Sequence, residues 1–125
     1  MARRSEQRRA AVFALYQHDV TDRPLEQLLT DAKPFTHELA EGVMAHREQL
    51  DREISERARG WRLDRIAPLE RNLMRVALYE LRLRDDVPTE VAIDEAVKIA
   101  AEYCGAEAPA FVNGILGAAA REVTA

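Results

Sequence analysis

Apolar residues in this sequence recur at steps of three, four or seven, and nowhere do they alternate with polar residues as a half-buried strand requires. The longest such stripe begins at Phe35 and ends at Ala58, and charged residues fill the positions around it. Its apolar members are Phe35, Leu39, Val43, Leu50, Ile54 and Ala58. The spacing places them on one face of a helix. The sequence therefore predicts an all-α protein.

Proline, glycine and cap residues divide the chain into helices. Ser5 is the predicted N-cap of a first helix that ends near Asp19, and Pro24 opens a short second helix. A long third helix follows the break at 31–34 and ends at Gly60. Three more are predicted: a buried central helix over 68–84, a helix that Thr89 caps and Gly105 ends, and a last helix from Pro109. Together they predict two helical bundles packed against each other.

The length of 125 residues suits a single domain, 1–125, with sub-bundles of about 1–60 and 61–125. The segment 61–68 is predicted to be a turn that could hold a short helix, and it forms the boundary between the two sub-bundles. No run of about 18 apolar residues exists, and no apolar stretch follows the basic N-terminus. We therefore expect a cytoplasmic protein with no membrane contact. One cysteine and three scattered histidines predict neither a disulfide nor a metal site.

Signatures of catalysis are missing from the sequence. The two serines, Ser5 and Ser55, do not lie in a nucleophile elbow, and no glycine-rich phosphate loop is present. Adjacent carboxylates such as Asp94 and Glu95 are expected on solvated helix faces in a chain with 32% charged residues. We therefore expect a non-catalytic protein that needs no cofactor.

Charge is distributed unevenly along the chain. The net charge is −4, yet residues 1–10 hold four arginines against one glutamate. Residues 86–125 are the acidic end, with seven acidic residues against two basic ones. A basic patch on an acidic body would direct an anionic ligand to one place.

The first helix carries most of that positive charge. Arg4 and Arg8 are i, i+4 neighbours, and Tyr16 lies on the adjoining face. Arginine, aromatic and amide side chains can hold phosphates and unpaired bases of RNA. The alternative is that the arginines pair with acidic neighbours and that Tyr16 belongs to the core. Arg71 and Arg75 repeat the i, i+4 spacing in a second basic stretch.

Four blocks of the sequence together resemble the NusB family. They are residues 8–17 (RRAAVFALYQ), 73–81 (LMRVALYEL), 87–97 (VPTEVAIDEAV) and 111–116 (FVNGIL), and they occur in the family's order across nearly the whole chain. One departure is Gly117, which stands where many relatives carry Asp.

The resemblance implies a fold and a function. The fold is two packed three-helix bundles with an additional short helix. The function is that of a transcription antitermination factor: with NusE, a protein of the small ribosomal subunit, it binds boxA RNA of ribosomal RNA transcripts and promotes read-through by RNA polymerase. Other Nus factors join that complex.

The resemblance also implies site residues. Arg8 and Arg75 are expected to face RNA, with Arg4 and Tyr16 nearby. Arg71 is a further candidate, from its i, i+4 spacing to Arg75. The contacts with NusE are expected at two neighbouring residues of the central helix, Tyr79 and Glu80.

Two other functions remain open at this point. The chain could be a homodimeric helical interaction protein that masks its RNA face. It could also correspond to the NusB-like module fused to ribosomal RNA cytosine methyltransferases, although 125 residues leave no room for the methyltransferase domain.

Overall fold

A computed structural model describes residues 3–122 of the chain. Within that range every regular secondary-structure element is a helix, so the all-α prediction is confirmed. The helices are α1 (Arg4–Thr21), α2 (Leu25–Leu28), α3 (Pro34–Ala45), α4 (Arg47–Arg57), α5 (Pro68–Leu83), α6 (Thr89–Tyr103) and α7 (Ala108–Arg121), with a 3-10 turn at Leu63–Arg65.

The central helix α5 holds the fold together. It packs against α1, α3, α4, α6 and α7. Helices α1, α3 and α5 contact one another, and so do α5, α6 and α7, while α2 is the additional short helix. The predicted burial of α5 is confirmed, because residues 72–78 along it are all buried. The division into sub-bundles of about 1–60 and 61–125 stays a prediction.

The apolar stripe predicted for the third helix is buried along its whole length, but the helix itself is not continuous. It breaks at His46, where the backbone leaves helical geometry at φ −116° and ψ 19°. The His46 amide is shared between the carbonyls of Gly42 and Val43, as at the end of a helix. The prediction of one long third helix was therefore wrong, although the apolar residues before and after the break lie on the same buried face.

Two predicted N-caps are also wrong. Helix α1 begins one residue before Ser5, and the Ser5 hydroxyl donates to Glu95 on α6 instead of capping the helix. Thr89 is the first residue of α6, and Pro88 precedes it without a side-chain cap. Pro24 similarly precedes the short helix α2 rather than opening it. The predicted ends were closer, since Gly60 has a φ of +82° after α4 and α6 ends just before Gly105.

Candidate nucleic-acid interface

Arg8 lies inside the protein, where it joins α1 to α5 and α6. Its Nε donates to the two carboxylate oxygens of Glu80 at 2.8 and 3.0 Å, and its Nη2 donates to one of them at 2.7 Å. Its Nη1 donates to Glu95 at 3.0 Å. Only 4% of Arg8 and 0% of Glu80 is exposed. Burial alone would lower the pKa of Arg8, but the hydrogen bonds and charges of the two glutamates outweigh burial and raise that pKa.

Arg75 lies in a second buried cluster, at the middle of α5. Its guanidinium group binds Asp51 of α4 in a two-pronged ion pair, with N···O distances of 2.7 and 3.0 Å. Its Nη1 donates to the amide oxygen of Asn72 at 2.9 Å. The Arg75 side chain is 7% exposed. Because its donors are used within the protein, Arg75 joins α4 to α5 and presents little surface to a ligand.

Arg71 belongs to the same cluster and connects α5 to the end of α1. It donates to Asp19 at 2.8 Å and to the carbonyls of Leu63 and Ile66 at 3.3 and 3.1 Å. Burial would raise the pKa of Asp19, but hydrogen bonds from Arg71 and Asn72 lower it overall. Arg71 and Arg75 are therefore both paired with acidic neighbours. The sequence had left this alternative open for the arginines of the first helix.

Arg4 is the predicted RNA residue that remains accessible. Its side chain is 48% exposed, and its guanidinium carbon lies 4.3 Å from the centre of the Phe35 ring in the first turn of α3. This places the beginnings of α1 and α3 side by side. Gln7 strengthens the junction, since its side-chain oxygen accepts from the Phe35 amide at 3.0 Å. Arg3 and Lys33, one residue before α1 and α3 respectively, are exposed at the same end of the protein.

The other predicted residues differ in accessibility. Tyr16 and Tyr79 are both partly buried. The Tyr79 ring lies directly on Gly42, where a Cβ would overlap it, and its centre is 5.9 Å from that of the His46 ring. Glu80 presents no surface at all, because it is fully buried against Arg8. In this structure Glu80 therefore fixes α1 on α5 and does not offer its carboxylate to a partner.

Sequence reasoning missed two residues that adjoin Arg4, namely Arg84 and Asp86. The Arg84 guanidinium also lies over the Phe35 ring, at 5.2 Å, and Asp86 binds both arginines. Hydrogen bonds from Arg84 and then Arg4 hold the pKa of Asp86 well below its usual range. Hydrogen bonds to Asp86 and then Glu38 likewise raise the pKa of Arg84. Asp86 is 82 residues from Arg4, so no local spacing could have revealed the contact.

Residues 3–122 contain no cluster of three or more side chains that could hold a metal ion. None of their helices is both long and apolar enough to cross a bilayer.

Comparison with known proteins identifies the family. The model of the NusB family matches residues 5–121. The chain belongs to the NusB family. A relative from Desulfotalea psychrophila, named transcription antitermination protein NusB, is 43% identical over 127 residues, covering 89% of this chain and 90% of its own.

Solved NusB structures share the fold of this family member. T. maritima NusB superposes with a TM-score of 0.88 at 35% identity, covering 97% of this chain and 92% of its own. A chain in the crystal structure of the antitermination factors NusB and NusE in complex with dsRNA superposes with a TM-score of 0.85, covering 94% and 96%. At 24% sequence identity, this superposition shows only that the two chains share a fold.

Proposed function

We propose that this chain is a transcription antitermination factor that binds boxA RNA of ribosomal RNA transcripts together with NusE and promotes read-through by RNA polymerase. The observation that carries the proposal is the match to relatives of that name over nearly the full length of both chains. The NusB chain solved with NusE and dsRNA, which has the same fold, is consistent with the two partners. In this role the protein acts by binding and needs no catalytic group.

The proposed RNA surface is the end of the protein where α1 and α3 begin. Arg3, Arg4 and Lys33 are exposed there, and the helix dipoles at the N-termini of α1 and α3 add positive potential. Phosphate contacts of this kind supply most of the affinity for nucleic acid, so a protein of net charge −4 can bind RNA through one local patch.

The remaining predicted RNA residues take indirect roles in this proposal. Arg8, Arg71 and Arg75 hold α1, α4 and α5 in place, and the exposed arginines depend on that framework. Tyr16 is partly buried on α1 and remains a proposed neighbour of the RNA. Tyr79 remains the proposed contact with NusE, whereas Glu80 contributes by holding Arg8.

Binding of boxA RNA to the pure protein tests the function. Fluorescence anisotropy with labelled boxA RNA and a scrambled RNA of the same length should show tighter binding of boxA, and added NusE should raise that affinity. Because linkage is reciprocal, boxA RNA should raise the affinity for NusE by the same factor. Equal affinity for the two RNAs, with no effect of NusE, would contradict the proposal.

Arg4→Ala tests the surface, and Arg23→Ala is a matched control. Arg23 lies just beyond the other end of α1, and its replacement by Ala removes the same single positive charge. Loss of one phosphate contact should reduce the salt dependence of binding by about 0.7 in the log–log slope. We expect this for Arg4→Ala and not for Arg23→Ala; equal slopes for the two variants would remove Arg4 from the site.

A further inference from the structure

Asp86 occupies a site that has the geometry of an anion receptor. Arg84 donates to its two carboxylate oxygens from Nε and Nη2, both at 3.0 Å, and Arg4 adds a third hydrogen bond at 2.7 Å. Two guanidinium groups therefore converge on one small anion. Arginine binds phosphate oxygens in the same two-pronged manner as it binds carboxylate.

The receptor is built on a firm base. Phe35 is 5% exposed, and the guanidinium carbons of Arg4 and Arg84 lie 4.3 and 5.2 Å from its ring centre. Arg84 is further held by Glu38, which accepts from its Nη1 at 2.6 Å, and its side chain is only 16% exposed. The donors of Arg84 are thus oriented before any ligand arrives. We call Arg4, Arg84 and Phe35 the Phe35 arginine site.

The anion in this site is exposed and replaceable. The Asp86 side chain is 47% exposed and lies on the turn between α5 and α6, outside any helix. Exposed ion pairs are weak, so an incoming polyanion can displace one. The site also borders the first turn of α3 and the exposed Arg3 and Lys33. A phosphate of an RNA strand lying across that end would reach it.

We propose that the Phe35 arginine site binds a backbone phosphate of RNA and that Asp86 occupies it in the free protein, as an internal competitor. The proposal rests on the proposed function, which supplies the RNA. It assigns Asp86 a part in setting affinity: binding at this site exchanges a carboxylate for a phosphate. RNA affinity is therefore lower than the exposed arginines alone would give.

Asp86→Asn tests the proposal, and Asp85→Asn is its matched control. Asp85 is the preceding residue on the same turn, is exposed, and has no side-chain hydrogen bond or ion pair among residues 3–122. Both variants remove one negative charge from the same place, but only Asp86→Asn removes the competing carboxylate. Circular dichroism should show both variants folded, because both positions are exposed.

The measurement is the affinity for labelled single-stranded boxA RNA over a series of salt concentrations. We expect Asp86→Asn to bind about fivefold more tightly, the equivalent of one surface ion pair, and Asp85→Asn to change affinity by less than about twofold. The log–log salt slope of Asp86→Asn should match that of the unaltered protein, because both complexes place the same phosphate on the two arginines and differ only in the carboxylate that must first leave. Adding Arg84→Gln to Asp86→Asn should abolish the gain.

Several outcomes would overturn the proposal, and they separate it from the function on which it rests. No binding of boxA RNA by the unaltered protein would refute the proposed function. Equal gains from Asp86→Asn and Asp85→Asn, in a protein that does bind RNA, would show a general charge effect and refute the phosphate site alone. A gain that survives Arg84→Gln would refute it as well.

Tripolyphosphate provides a test of the site without RNA. Titrated into Asp86→Asn, it should shift the Nε–Hε NMR signal of Arg84, with a much weaker response in Asp85→Asn, where Asp86 still competes. An Arg84 signal that does not move in Asp86→Asn would overturn the site whatever the RNA titration shows.

Discussion

Replacing Glu80 by Gln should destabilise this protein far more than replacing an exposed glutamate. The change keeps the size of the side chain but removes the charge that Arg8 faces, and Arg8 is 4% exposed. Breaking a buried ion pair usually costs about 3–5 kcal/mol, because the remaining charge is left without compensation. Here Glu95 still accepts from Arg8 at 3.0 Å, so we expect the lower limit, about 3 kcal/mol.

The size of the protein converts this loss into a shift of the melting temperature. The unfolding entropy near 60 °C is about 2.1 cal/mol/K per residue, so about 3 kcal/mol in a chain of 125 residues lowers Tm by about 11 °C. Urea denaturation followed by circular dichroism measures the free energy of unfolding, and thermal denaturation measures Tm. The m-value should be unchanged, because the same surface is exposed on unfolding.

Two further variants make the test specific to the buried pair. Glu102→Gln is the control, because Glu102 pairs with Arg9 at the surface, at 3.3 Å, and its loss should cost less than about 1 kcal/mol. The double replacement Arg8→Met with Glu80→Leu should recover most of the lost stability, since it removes both charges of the buried pair. A loss below about 1 kcal/mol for Glu80→Gln, or no recovery in the double variant, would refute a structural role for the pair.

Three further predictions concern stability. Gly117→Ala should raise the free energy of unfolding by about 1 kcal/mol, since Gly117 is inside α7 and a Cβ there meets only the flexible end of Arg121, at 3.3 Å; a lower urea midpoint would contradict this. Gly42→Ala should lower the free energy of unfolding by about 1–3 kcal/mol, because the new methyl overlaps the Tyr79 ring; unchanged near-ultraviolet circular dichroism and stability would show that the ring moves freely. The pKa of Asp19 is lowered in the folded state, so its contribution to the free energy of unfolding is complete above the unfolded-state pKa near 4 and is lost as pH falls through the folded-state pKa. Asp19→Asn should therefore make the free energy of unfolding, measured in urea, fall less steeply towards acid pH.

The sequence predicted the fold well because helix burial follows a local period. The apolar stripe from Phe35 to Ala58 and the buried face of α5 could be read directly, and the structure confirms both. The break at His46 was not predicted, because the step of seven from Val43 to Leu50 skips this turn without changing the phase of the stripe. It lies where the Tyr79 ring meets Gly42 and His46, a contact between residues more than thirty positions apart.

The candidate site was less predictable, because a spacing of i, i+4 does not say which way an arginine faces. Arg4 and Arg8 are one turn apart on the same helix, yet one is 48% exposed at its side chain and the other is buried. The difference comes from Glu80, which is 72 residues from Arg8 in sequence. Such partners are known only once α1 and α5 are placed side by side.

Burial of the arginines explains how a protein of net charge −4 can be specific about where a polyanion binds. Arg8, Arg71 and Arg75 are neutralised by carboxylates inside the helix packing, so they add almost nothing to the field at the surface. Arg3, Arg4 and Lys33 stay exposed where α1 and α3 begin, and Asp86 balances part of that positive charge. Under screening at physiological salt, charges beyond about 8 Å contribute little, so acidic residues far from this end do not weaken binding there. In our proposal, affinity is therefore set by competition between one carboxylate and one phosphate for the same two guanidinium groups.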